Sequence, residues 1–407
     1  MKIGVIADDF TGASDIALTL AEGGMRTAQF VGIPDGRIDI DVEAGVVALA
    51  SRTIPVADAV QQSLAACDWL IGQGAEQIVF NIPTPCDIGD AGNIGQVAEA
   101  LAERLDANQV MVCPASPVNG HGVHRGHLVL GDVQLNQGGT QDHPPTPRTG
   151  PDLRRLLAQQ TGWPVGHIPF TVVANGAQAI VAAFAAQPTM HIVDAITDAE
   201  MHVIGKAAAG RKLIVGGSAI ALGLPANFGK TPTQPAWDPV IGRGVVLSGS
   251  SSRATREQVA RFCKQAPSHD ISAEAVMQGG VSAAGLADWV LAQDSAPLVF
   301  SSVDPLVVAK ADEIYGRDAL APRTQALFAE LAAILIARGV RRIVVAGEAT
   351  SAAVVKGLKA DVLHIGPRVA AGCPAVRSGD IALALTFDNC GAEDLFAKAL
   401  HDLGRDP

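Results

Sequence analysis

Two adjacent carboxylates, Asp8 and Asp9, close an apolar run at the start of the chain, and Phe10-Thr11-Gly12-Ala13-Ser14 leads on into a helical pattern. A strand that ends in acids and turns into a helix presents them where open α/β sheets bind ligands. Ionised carboxylates accept hydrogen bonds from hydroxyl groups, and one of them can serve as base for an attacking oxygen. Gly12 lets the backbone approach a ligand closely, and the free N–H groups of a helix start favour anions. The competing view makes Asp8 and Thr11 turn and capping residues.

The same logic recurs at later strand ends. Ser51-Arg52-Thr53 follows the next apolar run, and a planar guanidinium there can grip a carboxylate through two parallel hydrogen bonds. Asp87 lies in a Gly/Pro-rich loop, and Asn119-Gly120 comes after Cys113-Pro114. Singly, each would be a turn residue. Together, strand ends presenting Asp, Arg, Asp and Asn predict a polar cleft for a small acid bearing hydroxyl groups. His121, His124 and His127 suggest a metal, but at a spacing of three they fan around a helix and alternate on a strand, so no metal site is expected. In the second half Ser248-Gly249-Ser250-Ser251-Ser252 and Gly347-Glu348-Ala349-Thr350-Ser351 each join an apolar strand to a helix. Backbone N–H groups and hydroxyls in such loops suit phosphate oxygens. Neither loop matches the Walker A pattern.

These residues need a scaffold of alternating strands and helices. Strands are expected over 2–7, 46–50, 78–80 and 110–113, then over 191–193, 213–215, 245–247, 298–300, 343–345, 362–364 and 381–385. Helices are expected over 14–22, 95–105, 151–160, 253–265, 324–338, 351–358 and 392–403. This is the pattern of a mostly parallel sheet with crossover helices. A Gly/Pro/Thr/Asn/Lys-rich stretch over 223–237 breaks the rhythm, which divides the chain into domains 1–235 and 236–407. A proline-bearing insert over 136–149 is expected to be a surface excursion or lid.

Composition narrows the partners. At 407 residues the chain is long enough for two cores. Hydrophobic residues make up 48 %, yet no uninterrupted apolar run approaches a membrane span, and the N-terminus lacks a secretory signal pattern, so a soluble cytoplasmic protein is expected. The six scattered cysteines form no Cys-x-x-Cys pair and suit reduced core positions. A net charge of −11 without basic clusters opposes nucleic-acid binding, though local cations can still hold an anionic small molecule. Oligomeric state is open, and a homo-oligomer is compatible with the sequence.

The motifs together resemble the four-carbon acid sugar kinase family over nearly the whole chain. The likeness rests on Asp8-Asp9-Phe10-Thr11-Gly12-Ala13 with Asp15, Ser51-Arg52-Thr53-Ile54-Pro55 and Gly92-Asn93-Ile94-Gly95. It continues through Cys113-Pro114-Ala115, Pro117-Val118-Asn119-Gly120, Gly126-His127-Leu128, His143-Pro144, Thr146-Pro147, Gly216-Gly217-Ser218, Leu247-Ser248-Gly249-Ser250 and Gly366-Pro367. The resemblance implies an α/β fold of two domains, each with a mostly parallel sheet flanked by helices, and an active cleft between them. It further implies ATP- and Mg²⁺-dependent transfer of a phosphoryl group to the terminal hydroxyl of a 3-oxo-tetronate or similar acid sugar. By position, Asp8, Asp9 and Asp87 fall to catalysis, and Thr11, Gly12, Ser51, Arg52 and Asn119 to the substrate. Ser248, Gly249, Ser250, Ser252, Gly347, Glu348, Ala349, Thr350 and Gly391 fall to the nucleotide.

Departures from the family pattern cluster near the expected ATP chemistry. Asn81 stands where the family usually has lysine, and His121 where it has arginine. Gly-Gly-Glu-Thr-Ser-Gly becomes Gly347-Glu348-Ala349-Thr350-Ser351-Ala352, and Lys-Ser-Gly-Asn-Phe-Gly becomes Thr386-Phe387-Asp388-Asn389-Cys390-Gly391. Phosphoryl transfer depends on cations and positioning. A second reading is therefore a non-kinase relative that binds or converts an acid-sugar derivative without ATP.

Overall fold

The computed structural model describes all residues except 53, 83–91, 131–132, 135–151, 389 and 405–407. Asp87, Thr53, Asn389 and nearly all of the proline-bearing insert lie outside the described residues. The chain divides into two compact units, Met1–Gln234 and Pro235–Pro407.

Unit 1 runs β1 (Ile3–Ala7), α1 (Phe10–Glu22), β2 (Thr27–Val31), β3 (Ala44–Ala48), α2 (Val56–Gly72), β4 (Gln77–Asn81), α3 (Ile94–Leu105) and β5 (Gln109–Cys113). After a hairpin of β6 (His121–His124) and β7 (His127–Leu130), which β8 (Val133–Gln134) extends, come α4 (Leu153–Ala158), β9 (Val165–Ile168), α5 (Phe170–Val173) and α6 (Ala177–Ala182). The unit ends with β10 (Thr189–Val193), α7 (Asp198–Ala207) and β11 (Leu213–Gly216). Its main sheet has the order β2-β3-β1-β4-β11-β5-β10-β9, with neighbouring strands parallel. Helices on both faces bury β1, β3 and β4 completely, which is why they read as continuous apolar runs.

Unit 2 contains β12 (Arg243–Ser248), α8 (Arg253–Phe262), β13 (Ser268–Asp270), α9 (Ala273–Gln278), α10 (Ala283–Leu291) and β14 (Leu298–Phe300). It continues with α11 (Pro305–Tyr315), α12 (Arg317–Ala337), β15 (Val340–Ala346), α13 (Glu348–Leu358), β16 (Val362–Ala370), β17 (Cys373–Ser378), β18 (Ile381–Thr386) and α14 (Leu395–Asp402). The order is β13-β14-β12-β15-β18-β17-β16. The five strands from β13 to β18 in that order are parallel, while β16, β17 and β18 form an antiparallel meander. The stretch Ala319–Ala337 is long and apolar enough to pass for a membrane span, but Phe328, Leu331, Ala332 and Leu335 line one side of it and are fully buried in the unit.

Several boundaries differ from the expectations, for local reasons. Helix α1 starts at Phe10 rather than residue 14, because Asp9 is its N-cap and accepts from the Gly12 N–H. Helix α12 begins at Arg317 rather than residue 324 and runs through Pro322. Strand β2 escaped notice because Gln29 interrupts its apolar run. That glutamine is fully buried, accepting from Ser14 Oγ at 2.8 Å and donating to the Phe10 carbonyl at 3.3 Å.

Strand β10 carries a buried histidine whose charge state bears on stability. His191 Nε2 accepts from the Ala185 N–H at 3.3 Å, and its ring lies edge-on to Phe184 with centroids 4.8 Å apart. Burial, followed by the nearby Arg211 cation, lowers its pKa below the ordinary histidine value. The unfolded chain therefore takes up a proton first as pH falls, so the stability this residue contributes is present above about pH 6.5 and is lost below it. Between pH 7.5 and 5.5 the melting temperature of the wild-type protein should fall more than that of His191→Gln. Parallel melting curves across that range would remove His191 as a pH-sensitive element.

Candidate functional site

The carboxyl ends of β3, β1 and β4 lie side by side, since Ala7 is in register with Ala48 on one side and Asn81 on the other. The crossover from β1 leads toward β2, and that from β4 leads toward β5, so the chain reverses its winding direction at this pair. Such a switch point opens a crevice at the strand ends. Backbone bonds draw the following residues together. The Asp8 N–H donates to the Asn81 carbonyl at 3.4 Å, and Ser51 and Arg52 N–H donate to the Asp8 carbonyl at 3.0 and 3.3 Å. From the start of α3, Asn93 Nδ2 donates to the Ser51 carbonyl at 2.8 Å and fixes the turn before Arg52.

Asp8 and Asp9 are only 2 % and 6 % exposed. One guanidinium serves both: an Arg52 terminal nitrogen pairs with Asp9 Oδ2, and Arg52 Nε lies 3.5 Å from Asp8 Oδ2. Asp9 Oδ1 also accepts from Thr11 Oγ1 at 2.9 Å and from the Gly12 N–H at 2.7 Å. Thus Asp9 and Thr11 are engaged in capping, the role considered above for Asp8 and Thr11. Asp9 at the same time holds Arg52. With two carboxylates and one guanidinium the cluster carries about one net negative charge, a setting suited to hydroxyl donors.

The structure brings Asp8, Asp9, Thr11, Gly12, Ser51 and Arg52 together and leaves Asn119 apart. Asn119 belongs to a short turn after β5, is exposed, and donates to Ser116 Oγ at 2.9 Å. Asn81 and Asn93, absent from the expected site, belong to it. Another residue that sequence reasoning missed is Asp194 at the end of β10. Fully buried, it accepts from Arg125 N, Gly126 N, Phe170 N and His167 Nε2 at 2.8–3.0 Å. It fastens the Arg125–Gly126 turn, in which both residues have positive φ, so its role is structural. His124 faces Phe170, and His127 Nδ1 lies 2.8 Å from the Arg125 carbonyl. Among the described residues no group of three His, Cys, Asp or Glu side chains is placed to hold a metal.

In unit 2 the crossover from β12 leads toward β13 and that from β15 leads toward β18, which makes a second switch point. The loops after β12, β15 and β18 are tied to one another there. The Gly249 N–H donates to the Ala346 carbonyl at 2.9 Å and the Gly347 N–H to the Thr386 carbonyl at 3.0 Å. Ser250 Oγ donates to Asp388 Oδ1 at 2.5 Å, and Ser248 Oγ is 2.7 Å from Ser302 Oγ. Buried Gln258, on α8, donates to the Cys390 carbonyl at 2.7 Å and steadies the turn at Gly391, whose φ is +75°. A Cβ on Gly249 would lie 2.1 Å from Thr350 Oγ1, so any other residue there would force the Thr350 side chain to shift.

A nucleotide fits this arrangement. Ser252 Oγ caps α8, but α13 begins after Gly347, which has φ of +108° and offers no side-chain cap. The N-terminus of α13, with exposed Glu348 and Ala349 and buried Thr350 in its first turn, is of the kind that phosphate oxygens favour. Serine and threonine hydroxyls and the Glu348 and Asp388 carboxylates make the surrounding donor set all oxygen, the chemistry that suits Mg²⁺.

The first unit yields a test of its own. A Cβ on Gly12 would come within 2.9 Å of Asp9 Oδ2 and 3.0 Å of Asn81 Oδ1. Inside a helix, alanine is ordinarily favoured over glycine by about 0.8–1.0 kcal/mol. Gly12→Ala should therefore leave the melting temperature nearly unchanged while lowering kcat/KM by roughly 100-fold, about 2.7 kcal/mol of transition-state stabilisation. Full activity in that variant would show that nothing approaches this spot.

Comparison with known proteins accords with both halves. A family described as the sugar-binding N-terminal domain matches residues 3–224, and one described as the nucleotide-binding C-terminal domain matches residues 245–396. The 3-oxo-tetronate kinase of Cupriavidus necator is 44 % identical over 99 % of this chain and 97 % of its own length. That of Burkholderia multivorans is 41 % identical over 98 % and 97 %. A solved structure from Salmonella typhimurium LT2 is 36 % identical with a TM-score of 0.89, covering 98 % of this chain and 99 % of its own. One from Haemophilus influenzae, also 36 % identical, has a TM-score of 0.83 and covers 98 % and 100 %. Likeness of this extent to kinases disfavours the reading without ATP. The chain therefore belongs to the 3-oxo-tetronate kinase family and is an ATP-using kinase with a sugar-binding and a nucleotide-binding domain.

Proposed function

We propose that residues 1–235 bind 3-oxo-tetronate or a closely similar four-carbon acid sugar, that residues 236–407 bind ATP, and that the product is the acid phosphorylated on its terminal hydroxyl. The observation that carries the substrate side is the buried pair Asp8 and Asp9 sharing Arg52 at a sheet switch point. Asp9 caps α1 and pairs with Arg52, and Asp8, whose Oδ2 lies 3.5 Å from Arg52 Nε, is assigned the part of base. Asp8 removes the proton of the terminal hydroxyl as its oxygen bonds to the terminal phosphorus of the nucleotide and the bond to ADP breaks. Arg52 pairs with both buried carboxylates and turns its remaining N–H groups toward the acid. Asp87 completes the set of candidate substrate residues.

On the donor side, Ser248, Gly249, Ser250, Ser252, Gly347, Glu348, Ala349, Thr350 and Gly391 cradle the phosphates. Glu348 and Asp388 would hold Mg²⁺, which when bound neutralises charge developing on the transferred group. Asp388 adds a negative charge beside the polyphosphate, and its bond to Ser250 together with the cation offsets that charge. An ATP-consuming reaction on a free metabolite fits the cytoplasm.

The direct test is phosphorus NMR of ATP, Mg²⁺ and 3-oxo-tetronate with the purified chain. A new phosphate-ester signal matched by ADP release is expected, with loss on chelation of Mg²⁺. Asp8→Asn should lower kcat by about 10²–10⁴ while KM changes little. ATP binding without any ester across a panel of four-carbon acids would overturn the substrate assignment.

A further inference from the structure

The residue that the scaffold least explains is Asn81. It ends β4, a strand buried on both faces, where a parallel sheet ordinarily takes aliphatic side chains. Its residue exposure is 1 %, and its side-chain Nδ2 is buried with no hydrogen-bond partner among the described residues. Nearly all buried polar groups in folded proteins are paired, and an unpaired amide lowers stability unless something else requires it. Its neighbours leave room. In register with Asn81 are Ala7 on β1 and Gly216 on β11, the two smallest side chains available.

The surroundings also say what could satisfy the amide. Asn81 Oδ1 and Asp9 Oδ2 flank one point above Gly12, at 3.0 and 2.9 Å from where a Cβ would sit, so the amide belongs to the crevice of Asp8, Asp9 and Arg52. That cluster already carries net negative charge and has its cation engaged by two carboxylates. An additional neutral donor there suits a carbonyl or hydroxyl oxygen, whereas a carboxylate would meet Asp8 and Asp9 at close range.

We propose that Asn81 is a substrate-contacting residue whose amide N–H donates to a neutral oxygen, carbonyl or hydroxyl, of the bound acid sugar, so that the acid enters with its carboxylate pointing away from Asp8 and Asp9. This rests on the acid-sugar kinase assignment above. A site built to bond such an oxygen rejects an analogue that lacks it, because the amide is then left unpaired in the complex.

The experiment compares wild type with Asn81→Leu, which keeps the volume and removes the polar atoms, and with Asn81→Ser. Melting temperature is measured without ligand, and binding of 3-oxo-tetronate is measured by calorimetry in the presence of a non-hydrolysable ATP analogue and Mg²⁺. The expected result for Asn81→Leu is a melting temperature equal to or above wild type, by about 2 °C, with acid affinity at least tenfold weaker and nucleotide affinity unchanged. Asn81→Ser should fall between the two. A structural asparagine would give the opposite sign in the melt. Unchanged acid affinity in both variants overturns the proposal, and so does weaker binding accompanied by a fall in melting temperature. Failure of the wild-type protein to bind the acid at all would instead sink the substrate assignment, which separates the two claims.

Discussion

The burial of Asp8 and Asp9 at the carboxyl end of the central strand of unit 1 is the constraint on which the rest of that unit depends. A buried carboxylate is tolerated only when paired and hydrogen-bonded, and here one guanidinium faces two of them. Each neighbouring element then has a task. The loop after β3 must hang from the Asp8 carbonyl to deliver Arg52, α3 must start with Asn93 to hold that loop, and α1 must begin at once so that its N–H groups meet Asp9. The loss of one partner would leave charge uncompensated, so the cluster either persists as a unit or collapses as one.

How much of this the sequence disclosed follows from the reach of each interaction. The strands of the sheet interiors were legible because burial on both faces makes them apolar throughout. Asp8, Asp9, Gly12 and Arg52 stood out because they follow such runs directly. Helix α1 was placed four residues late because its first turn contains glycine, and the cap that compensates lies in the very acid pair taken for chemistry. Asn119 follows a strand end too, but β11 inserts between β4 and β5, and a lateral order assembled from distant segments leaves no local pattern. Asp194 was invisible for the same reason: its partners come from residues 125, 126, 167 and 170. Of the meander β16-β17-β18 only the outer strands were expected, over 362–364 and 381–385, and without β17 between them the antiparallel pairing was read as part of an alternating series.

The departures in unit 2 make physical sense once conformation is separated from residue type. Glycine is needed where φ is positive, and both such positions in the loops after β15 and β18, Gly347 and Gly391, keep it. The positions that lost glycine, Glu348 and Ala352, lie within α13, where both residues are better helix formers than glycine and leave the backbone N–H groups in place. Asp388 replaces a glycine as well, and its carboxylate bridges to the β12 loop through Ser250, adding a tie absent when that position is glycine. The cradle therefore retains its backbone donors while exchanging part of its flexibility for a fixed side-chain contact. With the family pattern's lysine gone from each domain, at Asn81 and at Thr386, the positive charge that phosphoryl transfer requires must come from elsewhere, helix N-termini included, or from a cation that would bind with the nucleotide.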